Sequence, residues 1–201
     1  VWIAYQGSSV SVSKNNDSIL VSANAAHVTV TSSVVGTEIT YLLSGNSSDG
    51  SLTINGNYKL TLALNGLSLT NSTGSAIDVE CGKRIAVTLA DGTTNTLIDG
   101  TGGSQKACFY VKGHAEISGA GTLALTGNTK HAFSSKEYLE LKSSAGSILV
   151  NSAVGDGLHC GQYFEMNGGT VTVANTKGDC IDADDLGNVK IKGGTLNLTV
   201  S

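Results

Sequence analysis

The sequence predicts an all-β fold, a right-handed parallel β-helix with three short strands in each coil. Apolar and polar residues alternate in short runs, such as 59–64 and 170–173, which is typical of half-buried strands. The runs recur at intervals of 23 to 25 residues, and a period of that length indicates a repeat architecture. The aligned positions of successive repeats are Phe109, Phe133, Leu158 and Ile181.

Each coil of such a fold pairs its strands with the equivalent strands of the next coil, so columns of like residues stack about 4.8 Å apart. Three apolar columns are expected to face the core. They are Phe109-Phe133-Leu158-Ile181, Ile117-Leu141-Met166-Ile191 and Leu125-Val150-Val173-Leu198. Paired glycines at 168–169 and 193–194 precede third strands, where a positive φ would allow a sharp corner.

The chain of 201 residues is expected to form a single domain. Residues 1–50 are predicted to form N-terminal coils and a cap, because their register is weaker, and residues 51–201 the regular β-helix. Val200 completes a third strand and no polar capping segment follows it. Since terminal repeats usually need a cap, we expect the native chain to continue past Ser201.

Composition excludes several classes of function. The net charge of -4 and the single arginine leave no basic surface for nucleic acid. No run of apolar residues approaches the length of about 18 residues that a membrane-spanning helix needs. A start at Val1 suggests that a leader has been removed and that the protein is extracellular or at the cell surface. The four cysteines lack CxxC or zinc spacing, which favours buried thiols over two disulfides.

Aligned coils bring several aspartates to one region. Asp156 and Asp179 share a column, with His131 one coil earlier, and three more aspartates follow within six residues. Stacked carboxylates repel, and a calcium ion, which binds oxygen, would relieve that repulsion. The alternative is an acidic, solvated turn. The predicted calcium ligands are Asp156, Asp179, Asp182, Asp184 and Asp185. His131 and His159 are expected to form hydrogen bonds to the aspartates.

A second outward column predicts a sugar-binding platform. Its members are Arg84, His114, Tyr138, Tyr163 and Asn188, with the first four as the predicted carbohydrate-binding residues. Aromatic faces bury the apolar C–H surface of sugars, and one coil rise is comparable to one sugar unit. Alternatively, the tyrosines merely cover an exposed sheet edge. A neighbouring column contains three glutamates, at 116, 140 and 165. It is interpreted either as a solvated face whose charge is screened by Lys142 and Lys190, or as a second cation site.

Four segments, at 40–45, 64–70, 89–97 and 155–159, resemble a bacterial secreted family of carbohydrate-binding β-helices. The resemblance covers roughly residues 38–201. It implies calcium on a right-handed parallel β-helix of pectate-lyase-like shape, with acidic pectic polymers and cellulose as ligands. Lys136 stands where this family often has acidic residues, which counts against a cation at that position.

Together these observations predict an extracellular, monomeric, non-catalytic polysaccharide-binding protein. Calcium would bridge an acidic polymer to an acidic protein, and a neutral β-glucan is the other candidate ligand. One alternative is a calcium-dependent polysaccharide lyase with Lys136 or Lys177 as the base. The other alternative is a structural surface adhesin that binds no glycan.

Overall fold

The computed structural model describes residues 1–184 and 187–200. This part of the chain consists of 22 β-strands joined by turns, without a helix, so the all-β prediction is confirmed. Its strands are β1 Trp2–Gln6, β2 Ser9–Ser13, β3 Ile19–Asn24, β4 Ala26–Ser32, β5 Ile39–Ser47, β6 Gly50–Gly56, β7 Leu60–Thr70, β8 Ile77–Glu80, β9 Ile85–Leu89, β10 Thr94–Ile98, β11 Ala107–Val111, β12 Ala115–Ser118, β13 Thr122–Gly127, β14 His131–Ser135, β15 Leu139–Leu141, β16 Ser147–Ala153, β17 Leu158–Cys160, β18 Tyr163–Met166, β19 Thr170–Thr176, β20 Ile181–Ala183, β21 Asn188–Ile191 and β22 Thr195–Val200.

The strands stack as a parallel β-solenoid of about seven turns. First strands form the series β6-β8-β11-β14-β17-β20, second strands the series β9-β12-β15-β18-β21, and third strands the series β10-β13-β16-β19-β22. The 11-residue β7 joins the second and third series, because its first half pairs with β9 and its second half with β10. Near the N-terminus, β1 pairs antiparallel with β2, and β3 with β4.

The three predicted apolar columns are present in the predicted register. In the first column Phe109 pairs with Phe133, Phe133 with Leu158, and Leu158 with Ile181. The two phenylalanine rings meet edge to face with centroids 5.0 Å apart, a geometry favoured between aromatic rings. The other two columns pair as expected, although Ile191 and Leu198 in the final described coil are exposed.

Two glycines turn the corners before third strands. Gly169 has φ +82° and Gly194 has φ +95°, as the paired glycines predicted. A Cβ atom on Gly169 would lie 2.7 Å from the carbonyl oxygen of Ala145. The corner therefore needs glycine both for backbone conformation and for the close approach of the previous coil.

All four cysteines are buried and unpaired, which confirms the expectation of packed thiols. Burial raises the pKa of Cys160 to about 12, so this sulfur remains a thiol at physiological pH. Among the described residues, no helix has the length and hydrophobicity that crossing a membrane requires.

Candidate functional site

The second-strand series carries a row of rings on its outer surface, which we call the tyrosine face: His114, Tyr138 and Tyr163. The ring centroids of His114 and Tyr138 lie 4.3 Å apart. Those of Tyr138 and Tyr163 lie 4.7 Å apart, with 6° between the ring planes. Leu139 pairs with Phe164 in the core, so the register that turns the rings outward is confirmed.

The stacking limits the way in which the tyrosine face can hold a sugar. Tyr138 lies between two neighbouring rings, which cover both of its faces. Lys190 Nζ lies 5.4 Å from the centroid of the Tyr163 ring. Tyr138 therefore offers no open ring face to a sugar, which leaves the ring edges and the phenol hydroxyls as its possible contacts. The carbohydrate-binding role of this column stays a prediction.

The glutamates beside the rings are neutralised by nearby cations. Glu140 pairs with Glu116 on one side and Glu165 on the other. Lys142 Nζ lies 2.7 Å from Glu140 Oε2 and 3.3 Å from Glu116 Oε2, as the screening interpretation predicted. Hydrogen bonds from Lys192 and Asn167 hold the pKa of Glu165 below its ordinary value.

Arg84 lies at the end of this row, where it binds carboxylates of its own protein. Its Nη2 atom lies 2.5 Å from Glu38 Oε2, and its Nη1 atom 3.9 Å from Glu116 Oε2. Partial burial, followed by the charge of Glu116, raises the pKa of Tyr138 to about 12. The row thus combines neutral phenols with carboxylates whose charge is already balanced.

Two histidines connect the predicted calcium ligands on a different outer face. His159 Nδ1 lies 2.8 Å from Asp182 Oδ2 and 3.4 Å from Asp156 Oδ2. Its Nε2 atom lies 3.9 Å from Asp184 Oδ1. His131 Nδ1 lies 3.0 Å from Asp156 Oδ2, and the two imidazole rings stack 4.3 Å apart. We call these five residues the aspartate–histidine cluster.

The predicted ligand Asp179 is not part of this cluster. Asp179 contributes its backbone N–H, which donates to Asp156 Oδ1 at 2.9 Å, and its carboxylate belongs to neither group of candidate metal ligands in the described part of the chain. Asp185 lies outside the described residues. Burial, and then the neighbouring His159, lowers the pKa of His131 to about 4, which keeps this imidazole neutral at physiological pH.

Sequence reasoning missed a groove on the outer surface of the first-strand series. Two adjoining cavities, of about 340 and 210 Å3, share Lys106 and Tyr110. Asp78 and Gln105 line the larger cavity, and the smaller one is lined by Lys130, His131, Lys136 and His159, among others. We call the two cavities together the lysine groove. The outward column Asp78-Tyr110-Ser134-His159 forms its floor.

The register of the coils could have revealed the floor of the groove. Each floor residue directly follows, in the sequence, a residue that aligns with the predicted apolar column of Phe109 and Phe133. The spacing between Ile77 and Phe109 is longer than one regular repeat, and the extra residues 99–106 form a loop that supplies Gln105 and Lys106. Of the two lysines considered as lyase bases, Lys136 lines the smaller cavity, whereas Lys177 lines neither.

The comparisons with known proteins agree with this architecture. A family profile described as carbohydrate-binding domain-containing protein matches residues 7–201. The chain belongs to this family. A family protein from Acetivibrio thermocellus is 25% identical over 122 residues, which cover 56% of this chain and 42% of that protein. The chain therefore spans less than half the length of this curated relative.

The family's fold is also seen in a solved structure. A polysaccharide lyase-like protein from C. thermocellum, determined as a gadolinium derivative, superposes with a TM-score of 0.63 at 19% identity. The superposition covers 100% of this chain and 96% of the other. Identity at this level shows a common fold, and function has to be argued from the sites of each carbohydrate-binding domain.

Proposed function

We propose that this domain binds polysaccharide without cleaving it, outside the cell and as a monomer, and that its tyrosine face binds a β-glucan. The observation that carries this proposal is the repetition of Tyr138 and Tyr163 at 4.7 Å. One coil rise is comparable to one sugar unit, so a glucan lying along the solenoid axis would meet the same groups at each unit. A polymer of this kind is encountered outside cells.

Hydrogen bonding, rather than stacking, is the proposed mode of recognition. Both faces of the Tyr138 ring are covered, whereas the column of Glu116, Glu140 and Glu165 points outward. The Tyr138 hydroxyl lies beside this column, 3.4 Å from Glu116 Oε1. Phenols donate and accept, and carboxylates accept two or more hydrogen bonds from sugar hydroxyls. Because lysines already balance these carboxylates, a neutral sugar meets no uncompensated charge there.

The experiment compares two double variants on an affinity gel containing soluble β-glucan. Tyr138→Phe/Tyr163→Phe removes the hydroxyls and keeps the ring stack. Each hydroxyl hydrogen bond is worth about 0.5–1.5 kcal/mol, so we expect about tenfold weaker binding, as large a loss as in Tyr138→Ala/Tyr163→Ala. Tyr58→Phe, on another part of the surface, is the matched control. Full retention of binding by the phenylalanine variant would contradict recognition through the hydroxyls.

We further propose that calcium assists the binding of acidic polymers at Asp156, Asp182 and Asp184. Among the described residues, no lysine or arginine pairs with these three carboxylates, whose nearest partners are the imidazoles of His131 and His159. Carboxylate oxygens suit calcium, which takes six to eight oxygen ligands, better than the imidazole nitrogens do. A bound calcium ion would supply the positive charge that an acidic protein lacks toward a polyuronate.

Thermal unfolding tests the calcium proposal. Calcium at about 100 times its dissociation constant stabilises the native state by about 2.7 kcal/mol, which corresponds to a Tm rise of about 5–10 °C. Asp182→Asn should abolish this rise, and Asp179→Asn, whose backbone contact is preserved, should leave it intact. A chelator should weaken binding to polygalacturonate. A Tm rise with zinc and none with calcium would overturn calcium as the ion.

A further inference from the structure

Two lysines of the groove, Lys130 and Lys136, have no acidic partner within ion-pair distance among residues 1–184 and 187–200. Among the described residues, neither Lys130 nor Lys136 forms an ion pair or a side-chain hydrogen bond. Lys106 Nζ donates to the Tyr110 hydroxyl at 3.1 Å and lies 4.4 Å from its ring centroid. Of the residues that the structure describes, the smaller cavity is lined by three lysines, Lys106, Lys130 and Lys136, and by one acidic residue, Asp184, so positive charge exceeds negative charge there. The larger cavity is lined by Asp78 and Glu80 together with Lys106.

Polar atoms without partners line the same groove. In the described part of the chain, three buried side-chain atoms lack a hydrogen bond: Asp78 Oδ1, Gln105 Oε1 and His131 Nε2. All three residues line the groove, and the His131 side chain is only 6% exposed. A buried polar atom without a partner has lost its hydrogen bonds to water, so a ligand that supplies hydrogen bonds here would replace them.

The groove has the dimensions of a polymer site. Its floor runs through four coils, from Asp78 on β8 to His159 on β17, and at about 4.8 Å per coil it is about 14 Å long. The cavities of about 340 and 210 Å3 together fall in the range of about 300–1,000 Å3 that is typical of ligand sites.

We propose that the lysine groove is a second glycan site, which binds an anionic polysaccharide directly and without calcium. Lys130 and Lys136 contact its carboxylates or sulfates, and the unpaired atoms of Asp78 and Gln105 accept hydrogen bonds from its hydroxyls. This inference rests on the proposed polysaccharide-binding function for its class of ligand. It places the anionic ligand in the lysine groove, which is separate from the tyrosine face.

The test uses binding in EDTA, which removes any contribution of calcium. In Lys130→Met/Lys136→Met we expect about tenfold weaker binding to polygalacturonate. Lys83→Met/Lys177→Met changes the net charge equally at exposed positions outside both cavities, and it should bind within twofold of the wild type. Thermal unfolding of both variants should match the wild type, because all four side chains are exposed.

Two further arms identify the ligand. An equal loss with dextran sulfate would identify any anionic glycan as the ligand, and a loss confined to polygalacturonate would identify carboxylated sugars. Oligogalacturonides of increasing length should gain affinity up to about three or four units and then level off. Equal weakening in the control variant, or no binding in EDTA by the wild type, would overturn the proposal. Neither result bears on the phenylalanine variants and β-glucan, so the two proposals fail separately.

Discussion

The tyrosine face and the lysine groove stand on the same core and repeat with the same coil, yet they treat charge in opposite ways. On the tyrosine face, Lys142 and Lys192 each lie 2.7 Å from a glutamate oxygen. In the groove, Lys130 and Lys136 have no carboxylate within ion-pair distance among the described residues. The first surface is suited to neutral hydroxyls and the second to anions.

The difference shows that the solenoid fixes where side chains lie and leaves their chemistry free. Outward residues on neighbouring coils are held at one spacing by the ladder, whichever face they occupy. Whether a row binds a neutral or an anionic polymer is then decided by the partners within the row. Counting charges over the whole chain, which gives -4, hides this local contrast.

The largest effect is expected from a substitution in the core that both surfaces share. Phe133 is fully buried and contacts Phe109, so Phe133→Ala should lower the free energy of unfolding by about 3–5 kcal/mol. Urea unfolding followed by circular dichroism measures this loss. Val154→Ala, at a 44% exposed side chain, is the control and should change stability by less than about 0.5 kcal/mol. If Phe133→Ala kept the full stability of the wild type and lost only binding in the lysine groove, the two surfaces would not depend on the shared core.

Added salt should weaken ligand binding in the lysine groove more than ligand binding on the tyrosine face. The effect is expected to be smaller than that of the core substitution. Raising NaCl from 0.1 to 1 M shortens the screening length from about 10 Å to about 3 Å. We expect about tenfold weaker polygalacturonate binding in EDTA and less than a twofold change for β-glucan, measured on the same affinity gels. Equal salt dependence of both ligands would remove the electrostatic distinction between the surfaces.

The smallest effect concerns Asp78 in the groove. Burial, and then the charge of Glu80, raises the pKa of the Asp78 carboxyl above its ordinary value of 3.8. The folded state therefore holds this proton more tightly than the unfolded state, and ionised Asp78 lowers stability at pH 7. Asp78→Asn should raise the Tm at pH 7 by about 1–3 °C. The gain should disappear below pH 3.8, where both states are protonated. A Tm gain of the same size at every pH would contradict an effect of Asp78 ionisation.

The sequence was sufficient to predict the ladder because alternation and repeat length are local patterns. The repeat aligned Leu139 with Phe164 and Leu141 with Met166, and that alignment placed Tyr138 and Tyr163 outward. Columns give residue positions, but they do not give ring orientation. The column therefore placed the two tyrosines against each other on adjacent coils, and the angle of 6° between their ring planes came only from the folded structure.

The parts of the site that sequence reasoning missed depend on side-chain direction and on an irregular repeat. Asp179 was placed in the column of Asp156, but only its backbone N–H reaches that carboxylate. Gln105 and Lys106 come from the extra residues before Phe109, where the repeat gives no register. A column argument predicts what lies on a strand, whereas a loop that closes a cavity is fixed only by the folded chain.

The pairing of equivalent strands from β8 to β22 has a consequence for how such proteins can diverge. Duplication or loss of one coil would change the length of both surfaces by the same step of about 4.8 Å. Point substitutions at outward positions would alter one surface and leave the other unchanged. Relatives are thus expected to vary the number of sugar units recognised on both surfaces together, and the type of sugar on each surface separately.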